Sequence, residues 1–270
     1  MVLNIAVIAA VVAVAILLLW PRVSAAPLWR ATTTPLASII GSGFLVLGPL
    51  LGASYGIWAI AVMALLNAVA WCFGAAIRQS IADPRPSPQL DQVASVVLAF
   101  AYVISVAYYL NLFGAFAVSL TPFYSSLAAR SVTTAVYLLI LIVGWTKGFS
   151  ALERMEQVSV GVKLAIIAGL LVGLALAFAS AAGTGALIVH PPTLTAWPAI
   201  TLAFGLIVTV QGFETSRFLG DSYSPAMRIR SMKLAQLTAT AIYMVYIVLL
   251  VPLFPASDYT ISETAIIDLM

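Results

Sequence analysis

Apolar residues in this chain come in long unbroken runs, not in the two-residue alternation of a half-buried strand. Most runs are close to the roughly 20 residues that, as an α-helix, cross a hydrocarbon core about 30 Å thick, and the dyad pattern of a membrane barrel is missing. The pattern predicts eight membrane-spanning helices, over residues 2–20, 33–53, 56–77, 93–120, 131–147, 157–180, 197–219 and 232–254. Two of them are interrupted. In residues 33–53 the stretch Ile39-Ile40-Gly41-Ser42-Gly43-Phe44 sets two glycines mid-span, and in residues 197–219 Gln211-Gly212-Phe213-Glu214 joins a glycine, an amide and a carboxylate.

A glycine inside a helix costs about 1 kcal/mol against alanine, and in a bilayer each freed backbone group needs a new partner. One stretch alone fits a small-residue face on which another helix packs. It also fits an opened turn whose N–H groups hold an anion. The second interruption tips the balance toward a ligand site, because paired broken helices mark transporter binding sites, and an acid at that depth points to function by default.

Composition agrees with the pattern. The 270 residues are 63% hydrophobic and 8% charged, with a mean hydropathy of +1.12, whereas a soluble domain carries about 25% charged residues. The fold class is all-α integral membrane protein. The net charge of +3 does not point to nucleic acid, since ten of the twelve basic residues fall in alternate loops: Arg22 and Arg30; Arg78 and Arg85; Lys147 and Arg154; Arg217, Arg228, Arg230 and Lys233. Of the opposite loops, one carries Arg130 and the last holds Asp258, Glu263 and Asp268. The positive-inside rule then puts the N-terminus outside the cytoplasmic membrane. Residues 2–20 lack a basic leader and exceed the apolar length of a signal peptide, so they read as an added helix.

The remaining chemistry is sparse. One cysteine, Cys72, and one histidine, His190, give neither a disulfide nor a metal set, and no cofactor is implied. An intramembrane enzyme is disfavoured because no second carboxylate, histidine or metal set accompanies Glu214. Asn67 reads as interhelical glue. Among Tyr102, Ser105, Tyr108, Tyr109 and Asn111, only Tyr108 and Tyr109 are kept as cavity candidates, and packing is assigned to the rest. Lys163, two turns inside its span and seven residues after Glu156, either snorkels to the interface or stands as a cation in an internal cavity.

Several stretches resemble the amino acid-polyamine-organocation (APC) superfamily of transporters. Gly41-Ser42-Gly43-Phe44-Leu45, followed by Gly48-Pro49 and Gly56, resembles the glycine motif of that family's first helix. The run from Gly148 to Leu164 is similar to its link between the fourth and fifth helices, and Gly212-Phe213-Glu214 with Gly220, Pro225 and Arg228 to its sixth helix and the basic loop after it. The resemblance covers about residues 29–270. It implies a LeuT-type inverted-repeat bundle with discontinuous first and sixth core helices, divided as 1–29, an extra helix and linker; 30–182, a five-helix repeat; and 183–270, the start of an incomplete second repeat. The chain is expected to be a fragment or a truncated permease. At Val208 it departs from the family's frequent aromatic gate.

The function implied is transport of an amino acid or related amine by alternating access, with a proton favoured over sodium as coupling ion. The alternative is a membrane sensor or interaction module that has kept the permease bundle without moving its ligand. Expected substrate-site residues are Ile40, Gly41, Ser42, Gly43, Tyr108, Tyr109, Gln211, Gly212, Phe213 and Glu214, the substrate carboxylate lying at Ser42 and Gly43 and its ammonium near Gln211 and Glu214. Lys163, where some proton-coupled relatives place a fifth-helix lysine, and Glu214 are the expected coupling residues.

Overall fold

The computed structural model describes residues 2–41, 43–84, 88–119, 121–122, 125–220 and 222–253. Ser42, Arg85, Asp258, Glu263 and Asp268 lie outside the described residues. Ten α-helices are present among them: α1 (Val2–Leu19), α2 (Pro21–Ser24), α3 (Pro27–Ile39), α4 (Gly43–Tyr55), α5 (Ala59–Ala82), α6 (Pro88–Ser119), α7 (Ser126–Lys147), α8 (Phe149–Thr184), α9 (Ala196–Leu206) and α10 (Pro225–Leu250). Short 3₁₀ turns at Gly56–Trp58, Ile207–Val210, Phe213–Phe218 and Val251–Leu253 complete them, and no strand occurs among the described residues.

Among the described residues, six stretches are long and apolar enough to cross a membrane: Gly43–Ala82, Gln92–Ser119, Ser126–Lys147, Ala151–Thr184, Ala196–Phe218 and Pro225–Leu253, with Leu3–Leu19 a shorter apolar helix. The chain is a multi-pass membrane protein. The expected span 33–53 is split between α3 and α4, each of 13 residues and so only about 20 Å long. The chain folds back between α4 and α5 at Gly56, whose φ of +52° suits glycine, and a side chain there would strike the His190 carbonyl.

The core forms where α10 packs on α3, α4 and α5. Phe44 stacks against Tyr243 and Tyr246 with ring centroids 5.4 and 4.5 Å apart. Pro49 inside α4 has no N–H for the Leu45 carbonyl one turn earlier, and the Tyr246 hydroxyl donates to that carbonyl instead, at 3.2 Å. Between α5 and α10, Thr240 donates to Asn67 Oδ1 at 3.1 Å, the interhelical role expected of that amide. Arg78, read from sequence as a loop charge, is instead buried in the last turns of α5. It donates to Gln236 and lies 4.4 Å from the Trp71 ring centroid. The helix runs on to Ala82, five residues past the expected end, and Gln236 gives the guanidinium a buried partner within it.

Helix α1 packs antiparallel along α8, with Val7 and Val11 over Gly173 and Gly169 and Leu19 over Gly161. Small residues here let two helices approach closely. The connection from α8 to α9 is a strap held by backbone bonds: Thr193 and Leu194 N–H donate to Ser54 O, Ile57 N–H to His190 O, and Ile188 N–H to Pro252 O. It binds the far end of α4 to the far end of α10.

Candidate functional site

The end of α3 leaves carbonyls with no helical donor ahead of them. Ile40 departs from the helix at φ −90°, ψ 76°, and the chain re-enters helix at Gly43. Donors for the orphan carbonyls come from elsewhere in the bundle. Lys163 of α8 donates to Ala37 O at 3.2 Å and to Ile40 O, so its ammonium lies on the interruption and does not snorkel to the interface. The buried Tyr243 hydroxyl of α10 lies 3.1 Å from Ile39 O and 2.8 Å from Thr209 O. With one proton to give, it serves one of these carbonyls at a time.

The second interruption follows α9 through Ile207–Val210. Gln211 is extended and Gly212 adopts φ +110°, a conformation that L side chains rarely adopt. Glu214 closes this turn on itself, accepting the Gly212 N–H through Oε2 at 2.8 Å. Its Oε1 accepts the Tyr102 hydroxyl of α6 at 2.9 Å, and no described cation pairs with it. The two interruptions touch: a Cβ on Gly212 would stand 2.5 Å from the Ser38 carbonyl carbon and 2.7 Å from Ile39 N.

A cavity of about 260 Å³ opens at this junction, lined from both interruptions by Ser38, Gly41, Gln211 and Glu214 and from α6 by Tyr102 and Tyr109. Beside it lies a more apolar cavity of about 300 Å³, bounded by Gly43, Leu47, Leu50, Tyr108, Leu206 and Thr209. Ser105, Tyr109 and Val208 border both. The Tyr109 ring stands across the first interruption, 3.6 Å from where a Gly41 Cβ would be and 3.4 Å from a Gly43 Cβ. These volumes approach the lower end of small-molecule pockets.

The structure thus brings Gly41, Tyr109, Gln211, Gly212 and Glu214 to one cavity and Gly43, Tyr108 and Tyr109 to its neighbour. The Ile40 side chain is fully buried in the core, and only its carbonyl takes part. Phe213 is 2% exposed, packs in the core and lines neither cavity. Sequence reasoning set Tyr102 and Ser105 aside, although their spacing with Tyr109 (i, i+3, i+7) marks one helical face. Tyr243 and Ser38 had no signal that separated them from packing residues. No group of three or more metal-ligating side chains occurs among the described residues.

Toward the N-terminal ends of α3 and α8 the two helices are joined by further polar contacts. Arg30 pairs with Glu153 at 3.0 Å and Thr34 donates to Glu156 Oε2 at 2.9 Å. Tyr223, in the connection ahead of α10, donates to Glu153 at 3.4 Å. Burial, reinforced by the Glu153 charge, raises the Tyr223 phenol above its ordinary value, so it remains a donor at neutral pH.

A family model described as an APC superfamily transporter matches residues 21–270, beginning just after α1. An uncharacterized protein of Aquifex aeolicus (strain VF5) is 38% identical over 256 residues, covering 90% of this chain and 62% of its own length. The chain therefore spans about 62% of the length of that curated relative. No solved structure matches.

Proposed function

The chain belongs to the APC superfamily of transporters, and we propose that it carries the substrate site of a secondary transporter that moves an amino acid or related amine by alternating access, coupled to protons. The observation that carries this reading is the contact of Gly212 with Ser38 and Ile39, which sets two interrupted helices around one cavity. In this reading the N–H groups at the start of α4, Gly43 among them, receive the substrate carboxylate. Gln211 and the free lone pairs of Glu214 receive the ammonium. Proton rather than sodium coupling draws support from Lys163, whose ammonium occupies the carbonyls of Ala37 and Ile40 that a cation would otherwise need. Residues 30–182 then form one five-helix repeat and 183–270 begin its inverted partner, with the N-terminus outside the cytoplasmic membrane and α1 an addition.

The test is uptake of radiolabelled amino acids into vesicles holding the protein expressed from the complete gene. Accumulation driven by an inward proton gradient, independent of sodium and abolished by Lys163→Ala, is expected. Saturable binding without any uptake would replace transport by sensing. A sodium requirement with an active Lys163→Ala variant would reject proton coupling.

A further inference from the structure

In a proton-coupled cycle the Lys163 proton must reach water at a membrane face, and Lys163 itself lines neither cavity. On α8, Glu156 precedes Lys163 by seven residues, nearly two full turns, so both lie on one helical face about 10 Å apart along the axis. Helical side chains lean toward the N-terminus, which carries the long Lys163 stem back toward Glu156, and the two charges interact. Both face α3. Lys163 holds the carbonyls of Ala37 and Ile40, while Glu156 takes the hydroxyl of Thr34. The other charged or titratable groups around Glu156 are Arg30 from α3, Glu153 on its own helix, and Tyr223 beyond Glu153. Arg30 and Tyr223 are both engaged by Glu153.

We propose that Glu156 receives the Lys163 proton and passes it to the membrane face at the N-terminal end of α8. This rests on the proton-coupled reading above. While α3 is docked, two of the three Lys163 N–H groups are held by its carbonyls and a Glu156 oxygen by Thr34. When α3 parts from α8, both groups lose those partners together. An N–H bond of Lys163 then breaks and an O–H bond forms on Glu156, leaving a neutral amine and a neutral acid. The acid gives its proton to water at the basic face and returns to carboxylate, and the amine is reprotonated from water of the opposite face on the next turn. Proton release is thereby tied to the movement of one helix.

Glu156→Gln tests the step, because the amide oxygen still accepts from Thr34 but cannot carry a proton. In proteoliposomes of the protein from the complete gene, Glu156→Gln is expected to retain counterflow exchange of labelled substrate, which needs no net deprotonation. It should lose proton-driven accumulation by about tenfold or more. Glu156→Asp, with a titratable carboxyl, should recover part of the accumulation. Accumulation at the wild-type level in Glu156→Gln would overturn the relay and leave coupling through Lys163 intact. Loss of exchange together with accumulation would make Glu156 a structural residue and also overturn the relay. A wild-type protein indifferent to the proton gradient would remove the coupling reading and the relay together.

Discussion

The two interrupted helices solve one problem in opposite ways. At the first, the carbonyls of Ala37 and Ile40 are satisfied by Lys163 and that of Ile39 shares the Tyr243 hydroxyl with Thr209 O, the donors lying 123 to 204 positions away in the chain. At the second, the repair is mostly local: Glu214 takes the N–H of Gly212, Thr215 donates back to the Gly212 carbonyl at 2.7 Å, and Thr209 donates to Leu206 O at 2.7 Å. An unpaired backbone group in a membrane costs several kcal/mol, so each solution also fixes what can move. A local repair travels with its own segment. A repair supplied from other helices holds only while those helices stay in place.

Substitutions can break or sharpen that contrast. The largest effect is expected from Gly212→Ala, which forces a side chain onto φ +110° and against the Ser38 and Ile39 backbone. It should cost about 3 kcal/mol or more and abolish ligand binding, read by thermal unfolding in detergent with and without substrate. Lys163→Met comes next. It removes the remote donor for two carbonyls and should cost about 2 kcal/mol. It should also make cysteines introduced into the α3 face toward α8 more reactive, with little change at cysteines near Gly212. Equal gains in reactivity at both interruptions would erase the distinction. Tyr102→Phe should have the smallest effect, about 1 kcal/mol, since Glu214 keeps its bond to Gly212. Its signature is looser attachment of α6, seen as faster labelling of a cysteine at Ser105.

Much of this is legible in the sequence. The glycines flanking Ser42 and the Gly212-Phe213-Glu214 sequence placed both interruptions, because a helix break inside an apolar run needs residues of that kind. Lys163 was visible through its depth in a span, yet its destination was not. Two turns inside a helix, a lysine reaches either the interface or a neighbouring backbone, and only the packing of α3 against α8 decides. The polar stripe of α6 was legible only in part, for a similar reason. Tyr108 and Tyr109 both border the more apolar cavity, while Tyr102, on the same face as Tyr109, borders its neighbour and is the one that meets Glu214. Tyr243 lies in an apolar run with no local mark of its task, since its acceptors belong to two other segments. The start of α8 at Phe149, eight residues before the expected 157, escaped because its first turns are polar. Glu153 and Glu156 are kept there by Arg30 and Thr34 of α3.

The strap between α8 and α9 gives the broken α3–α4 unit an asymmetric mounting. At the Tyr55 end it is fastened through main-chain amides, which neither titrate nor depend on side-chain identity. Toward the Pro27 end the polar attachments are a guanidinium and a hydroxyl, both of which can be released, and an ammonium sits on the link itself. A beam so mounted has a fixed pivot at one end and a latch at the other. In the alternating-access reading a swing opens on the latch side, and the unwound link at Ile40 and Gly41 is where the beam bends.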